Sequence, residues 1–141
     1  NTLPFSRGLK VAVIGPHANA TQALTGNYLG QICPQGYDVF SCIETPFEAI
    51  SSANTDGTTQ MALGCDVACE DDSGFEDALS VAQEADVVVL MMGIDTSTVE
   101  KEGKDRDTIT LPGLQEDLVS QVMALGKSVS VVLLHGGALG I

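Results

Sequence analysis

Basic residues are scarce in this chain. Its 141 residues include 6 Lys and Arg against 19 Asp and Glu, a formal net charge of −13. Such a surface repels a phosphate backbone, so nucleic acid is not an expected partner. Long apolar runs are missing as well. The longest, Val87 to Ile94 with Gly93 inside it, is far shorter than the ~20 residues of a membrane helix, so no membrane contact is expected. No secretory leader opens the chain, and any targeting peptide lies outside it. A phosphate cradle is also absent from the first loop, Gly15-Pro-His-Ala-Asn-Ala20. That stretch carries neither G-x-G-x-x-G nor a Gly-Lys-Ser/Thr ending, and Pro16 removes a backbone N–H that a phosphate would use. No cofactor is therefore expected. Without a G-x-S-x-G elbow or a cysteine beside an obvious histidine, covalent acyl chemistry has no support.

Enough apolar material remains for a core. Hydrophobic residues are 44% of the chain and charged residues 18%, a balance that excludes global disorder, and the length fits one domain, residues 1–141. Three stretches read as buried strands: Lys10 to Gly15, Asp86 to Gly93 and Ser128 to Leu134. They are apolar without clean alternation, as strands covered on both sides are. A weaker strand is expected near Gln60 to Leu63, after an exposed loop over residues 51–60.

Helices fall between the strands. Thr45-Pro46-Phe47-Glu48 has the form of a capping box with Pro at the first helical position, predicting a short helix through about Ser52. Ser73-Gly74-Phe75-Glu76 repeats the capping-box form, and Phe75, Ala78, Leu79, Ala82 and Ala85 share one helical face. A third helix is expected to open at Pro112, with Leu114, Leu118, Val122 and Leu125 as its stripe and Gly126 as its stop. The alternation predicts an α/β fold: a mostly parallel sheet with helices on both faces, a flavodoxin-like α/β sandwich. The last strand runs into Gly136 to Ile141 with no covering helix, so the chain reads as a truncated fragment of a longer polypeptide.

Cys33, Cys42, Cys65 and Cys69 form an even set in a small acidic domain, which favours disulfides and an oxidising compartment. Three pairings are open to four cysteines. Free buried thiols are a second reading; zinc is a third, poorly served by these spacings with no histidine nearby. Asn19-Ala20-Thr21 is a glycosylation sequon.

Ligands of open α/β sheets gather at the carboxyl ends of the strands. The loop after the second clear strand is the richest in ionisable groups: Asp95, Glu100, Glu102, Asp105 and Asp107 beside Lys101, Lys104 and Arg106. Neighbouring carboxylates can divide general acid and base work, because one negative charge raises the other's pKa. The plainer reading is a solvated loop of mixed charge. His17 and His135 each follow a strand and are expected on one edge of the sheet, as structural residues or as ligands or a proton shuttle. Met91 and Met92, inside a strand, read as core.

Several stretches, in order, resemble the second domain of glycoside hydrolase family 3. They are Leu9-Lys-Val-Ala-Val-Ile-Gly-Pro-His-Ala18 after Leu3-Pro4, Gly26-Asn-Tyr-Leu-Gly30, Thr45-Pro-Phe-Glu-Ala-Ile50, Ala85-Asp-Val-Val-Val-Leu-Met-Met-Gly93, Glu100-Lys-Glu-Gly-Lys-Asp-Arg106, Leu111-Pro-Gly-Leu-Gln115 and Leu133-Leu-His-Gly-Gly137. Gly93-Ile-Asp-Thr96 with Gly64-Cys65 and Cys69 leans toward the β-xylosidase-like branch, with β-glucosidase-like relatives open. The resemblance implies a retaining glycosidase that removes terminal sugars from an oligosaccharide or glycoside. Its site is expected between two domains, with an Asp nucleophile on an N-terminal (β/α)8-type barrel, the partner domain, and a Glu acid/base on this one. The "E-G-x-D-R" Glu falls on Glu102, with Glu100 the runner-up. Asp105 and Arg106 match the same motif, on the substrate-binding side, as an ion pair holding the loop. Lys104 and Ala138 depart from the common pattern. With the cysteines and the sequon, the resemblance implies an extracellular or vacuolar protein.

Overall fold

A computed structural model describes residues 3–26 and 28–141. Asn27 of the Gly26–Gly30 stretch and the opening Asn1-Thr2 lie outside the described residues. The elements run β1 (Lys10–Ile14), a 3-10 turn (Gln22–Leu24), α1 (Pro46–Ala53), β2 (Thr58–Ala62), α2 (Phe75–Glu84), β3 (Val87–Gly93), α3 (Gln115–Ala124) and β4 (Ser128–Leu134). Among them no helix is long and apolar enough to cross a membrane.

The four strands form one parallel sheet in the order β2-β1-β3-β4. Residues alternate between its faces, which is why both faces carry apolar side chains. Ala12, Ile14, Val88, Leu90 and Met92 pack with Phe75, Ala78 and Ala82 of α2 and Leu118 and Val122 of α3. Val11, Val13, Val87, Val89 and Met91 pack on the opposite face with Phe47 and Ile50 of α1 and with Phe5 and Leu9. All seven residues of β3 are buried, whereas the outer strands β2 and β4 are partly open. The expected α/β sandwich is the observed one, and Met91 and Met92 are core residues.

Helix starts were only partly foreseen. At α1 the capping box forms: Thr45 Oγ1 accepts from the Glu48 N–H at 3.1 Å, and the Glu48 carboxylate accepts from the Thr45 N–H at 2.8 Å. Such a cap is worth about 1 kcal/mol. At α2 the same pattern does not form a cap. Ser73 gives both its N–H and its hydroxyl to Asp71, and the helix begins after Gly74. The turn that Asp71 makes with Ser73 holds the serine outside the helix, so its Oγ accepts from no helix N–H.

At α3 the helix opens at Gln115 rather than Pro112. Gly113 lies in the left-handed region at φ +51°, where a Cβ would stand 2.2 Å from the carbonyl oxygens of Ala68 and Cys69. The chain straightens into a helix only after it.

Residues 51–60 are not one exposed loop. Helix α1 continues to Ala53 and β2 begins at Thr58. Between them Asn54 is buried. Its Oδ1 accepts from Gly8 N–H at 3.1 Å, and its Nδ2 donates to Leu9 O at 2.8 Å. A polar side chain there replaces a missing backbone partner.

The cysteines pair as Cys33–Cys42 and Cys65–Cys69. The first closes the long segment before α1; the second ties the loop after β2.

Candidate functional site

From β1 the chain passes to β2 on one side of the sheet and then crosses to β3 on the other. The crevice at the carboxyl ends of β1 and β3 is thus the point where the winding reverses, where open α/β sheets hold ligands. His17 follows β1, Asp95 and the acidic loop follow β3, and His135 follows β4.

The acidic loop is launched from a fixed point. Gly93, at φ +138°, lies so close to β4 that a Cβ would stand 2.0 Å from Leu134 O. Gln115, fully buried, grips the same residue: its Oε1 accepts from Gly93 N–H at 2.9 Å, and its Nε2 donates to Gly93 O at 2.9 Å and Val67 O at 2.8 Å. Gln115 closes the Leu111–Gln115 stretch, and no role for it follows from sequence. In sequence it opens the polar run Gln115-Glu116-Asp117, and nothing there sets it apart from its exposed neighbours.

Beyond Ile94, the Asp95 carboxylate accepts from Thr98 N–H at 2.7 Å and Ser97 Oγ at 2.8 Å, which shapes the first turn. Lys101 and Lys104 then pair through backbone bonds of 3.1 and 2.8 Å. That small hairpin leaves Glu102 and Gly103 at its tip, with Gly103 in the left-handed region at φ +77°.

The two candidate carboxylates differ in surroundings. Glu100 is half-buried and accepts from Arg106 Nε at 2.5 Å, in the one salt bridge among the described residues. Arg106 also donates to Ala138 O at 2.8 Å, so Glu100 and Arg106 clamp the acidic loop to the segment after β4. The expected Asp105–Arg106 pair does not form: Asp105 is exposed, and the guanidinium turns inward to Glu100. Glu102 is exposed, and Tyr28 donates its hydroxyl to Glu102 Oε2 at 3.2 Å. Tyr28, another residue of a quoted motif, was given no role from sequence.

Two hollows flank this edge. One of about 200 Å³ is lined by His17, Thr21, Asp95, Thr96 and Ser97 among others. The other, about 560 Å³, is lined by Asp95, Glu100, Leu133 and His135 among others. The histidines share the edge but not a hollow, because β3 lies between β1 and β4. His135 is exposed and its Nδ1 donates to Gly137 O at 2.7 Å.

His17 is buried, and its Nε2 has no hydrogen-bond partner. Burial lowers its pKa, against the opposing pull of the Asp95 carboxylate and the Gly93 and Ile94 carbonyls. A lowered folded value means the unfolded chain binds the proton first as pH falls through about 6.5. Stability contributed by neutral His17 is therefore present above that pH and lost below it. In urea titrations, wild-type stability is expected to fall more steeply between pH 7.5 and 5 than that of His17→Gln; equal pH slopes count against this.

Among the described residues no group of three or more His, Cys, Asp or Glu is arranged to hold a metal ion.

Residues 1–141 match the Glycosyl hydrolase family 3 C-terminal domain. The exo-1,4-beta-xylosidase xlnD of Emericella nidulans is 42% identical over 137 residues, covering 96% of this chain and 16% of that protein. Beta-D-xylosidase 1 of Arabidopsis thaliana is 38% identical over 144 residues, covering 99% of this chain and 17% of that protein. The structure of a GH3 exo-beta-xylosidase (XlnD) in complex with a xylobiose aziridine activity-based probe superposes with a TM-score of 0.82 at 38% identity, covering 99% of this chain and 17% of that one. A GH3 beta-glucosidase of Bifidobacterium adolescentis superposes with a TM-score of 0.72 at 27% identity, covering 98% and 19%. The chain thus spans about one sixth of the length of the curated relatives it matches.

Proposed function

The chain belongs to glycosyl hydrolase family 3, as its C-terminal domain, and from that premise we propose that it supplies the general acid/base carboxylate of a retaining, exo-acting β-glycosidase. Residues 1–141 are read as one α/β domain. The substrate is a terminal β-linked sugar, with xylose favoured over glucose because the xylosidases are the more similar relatives. The nucleophilic Asp belongs to the barrel domain of a parent-length protein, one as long as these relatives. Two disulfides and the exposed sequon residue Asn19 support an extracellular or vacuolar setting.

One observation carries the choice of residue. Glu102 stands at the tip of the hairpin beyond the carboxyl edge of the sheet, while Glu100 is spent on the Arg106 clamp. A retaining enzyme needs its carboxyls about 5–5.5 Å apart, so the acid must project from its own domain toward the other. In the first step the Glu102 proton passes to the glycosidic oxygen, which leaves with the electron pair of the C1–O bond as the nucleophile bonds to C1. In the second, carboxylate Glu102 takes a proton from the water that attacks C1 and expels the nucleophile. Asp105 and Arg106, on the same loop, border the substrate side; the arginine acts chiefly through Glu100.

The test compares aryl β-xyloside and β-glucoside hydrolysis by the parent-length protein and by this chain alone. The parent is expected to turn over the xyloside faster, and the isolated chain to give no hydrolysis above buffer. Hydrolysis by the isolated chain contradicts a site divided between domains. An inactive parent points instead to a catalytically silent module that binds carbohydrate or a protein partner.

A further inference from the structure

Tyr28 reaches the acidic loop from a segment remote in sequence, its hydroxyl meeting a residue 74 positions further on. Its side chain is 84% exposed, so packing does not account for where the hydroxyl sits. Its chain runs directly into a restrained loop: the Cys33–Cys42 disulfide begins five residues further on, and Gln31 Nε2 donates to Cys33 O at 2.9 Å.

The hydroxyl has a directional consequence. An ionised carboxylate accepts at both oxygens, whereas a protonated one carries its hydrogen on one of them. With Oε2 accepting from Tyr28, the proton goes to Oε1. We propose that Tyr28 is a positioning residue for the acid/base carboxylate: its hydroxyl holds Glu102 Oε2 and leaves Oε1 as the oxygen that delivers and recovers the proton. The proposal rests on the reading of Glu102 given above.

Tyr28 itself neither gains nor loses a proton over the cycle. Its hydroxyl keeps its hydrogen while Glu102 passes one to the leaving oxygen and takes one from water. In open solvent such a bond contributes little. It strengthens where a second domain covers the loop and water leaves, because the local dielectric falls.

The experiment uses the parent-length protein and a series of aryl β-xylosides that differ in leaving-group pKa. Tyr28→Phe keeps the ring and removes only the hydroxyl. For the poorest leaving groups kcat/KM is expected to fall about tenfold, the scale of one hydrogen bond to a charged group. For the best leaving groups it is expected to stay within about twofold, since they need little protonation. In the Glu102→Ala background Tyr28→Phe is expected to add nothing, because the two residues act as one unit. Thermal unfolding of Tyr28→Phe is expected to match wild type.

Three results overturn the proposal: wild-type kinetics in Tyr28→Phe, a loss equal across all leaving groups, or a loss that persists without Glu102. If Glu102→Ala is crippled while Tyr28→Phe is normal, only the role of Tyr28 fails. If Glu102→Ala is normal, the reading of Glu102 fails first and this proposal with it.

Discussion

Glu102→Ala in the parent-length protein is expected to lower turnover of a β-xyloside with a poor leaving group by about 10²–10⁴-fold, the range that one general acid/base contributes. The loss should shrink as the leaving group improves, because an acidic phenol departs without a proton. With such substrates the second step becomes limiting and the covalent intermediate accumulates, since water must then attack without a base. Glu100→Ala should behave differently. It releases Arg106 from the clamp that ties the loop to Ala138. Its loss should be similar for good and poor leaving groups and should come with lower stability. Steady-state kinetics on both variants, with an aryl xyloside series, separates the two carboxylates. A leaving-group-dependent loss in Glu100→Ala, with Glu102→Ala near normal, would move the assignment to Glu100.

Gln115→Leu is expected to be the most destabilising single change in the domain. Leucine has nearly the same volume, so packing is little altered. The substitution removes every polar contact of a side chain with no solvent exposure, leaving Gly93 N–H, Gly93 C=O and Val67 C=O without their partner. An unsatisfied buried backbone group costs about 1–3 kcal/mol, so roughly 2–6 kcal/mol is expected from the two Gly93 groups, with half-buried Val67 adding less. That is a large share of the ~5–15 kcal/mol that holds a domain folded. Urea denaturation of the 141-residue chain measures it. A loss below about 1 kcal/mol would show that these groups find other partners. Because Gly93 launches the acidic loop, the parent-length variant is also expected to lose activity.

The sheet was legible because β1, β3 and β4 announce themselves as apolar, β-branched runs, and covering β3 on both faces follows from having no polar face to expose. The cap at Thr45 was legible because its partners lie within four residues: Glu48 gives its N–H to Thr45 Oγ1, and its carboxylate takes the Thr45 N–H and hydroxyl. At Ser73 the same four-residue pattern misled, since Asp71 two residues earlier takes the serine N–H and hydroxyl in a turn that ends before the helix. The opening of α3 depended on the close approach of Gly113 to Ala68 and Cys69, a contact between segments far apart in the chain. Asn54 was read as loop because its partners, Gly8 and Leu9, lie more than forty residues away.

The site divided along the same line. Its residue types and its place after β3 could be read from charge and strand pattern, and the family resemblance singled out Glu102 and Glu100. Which carboxylate is tied and which stands free could not be read, because Arg106 has acidic neighbours on both sides and only the folded loop turns it toward Glu100. Tyr28 and Gln115 were invisible for a related reason: each matters through a partner brought to it by the fold. Disulfide pairing likewise awaited the structure.

Azide added to the Glu102→Ala variant of the parent-length protein tests the central claim most directly. Azide attacks a glycosyl–enzyme intermediate without needing a base, so it replaces the missing carboxylate in the second step. Turnover of an activated aryl β-xyloside is expected to recover with azide, and the product is expected to be the β-configured xylosyl azide. An α-configured product would make Glu102 the nucleophile, and no azide product with no recovery would remove it from the acid/base role.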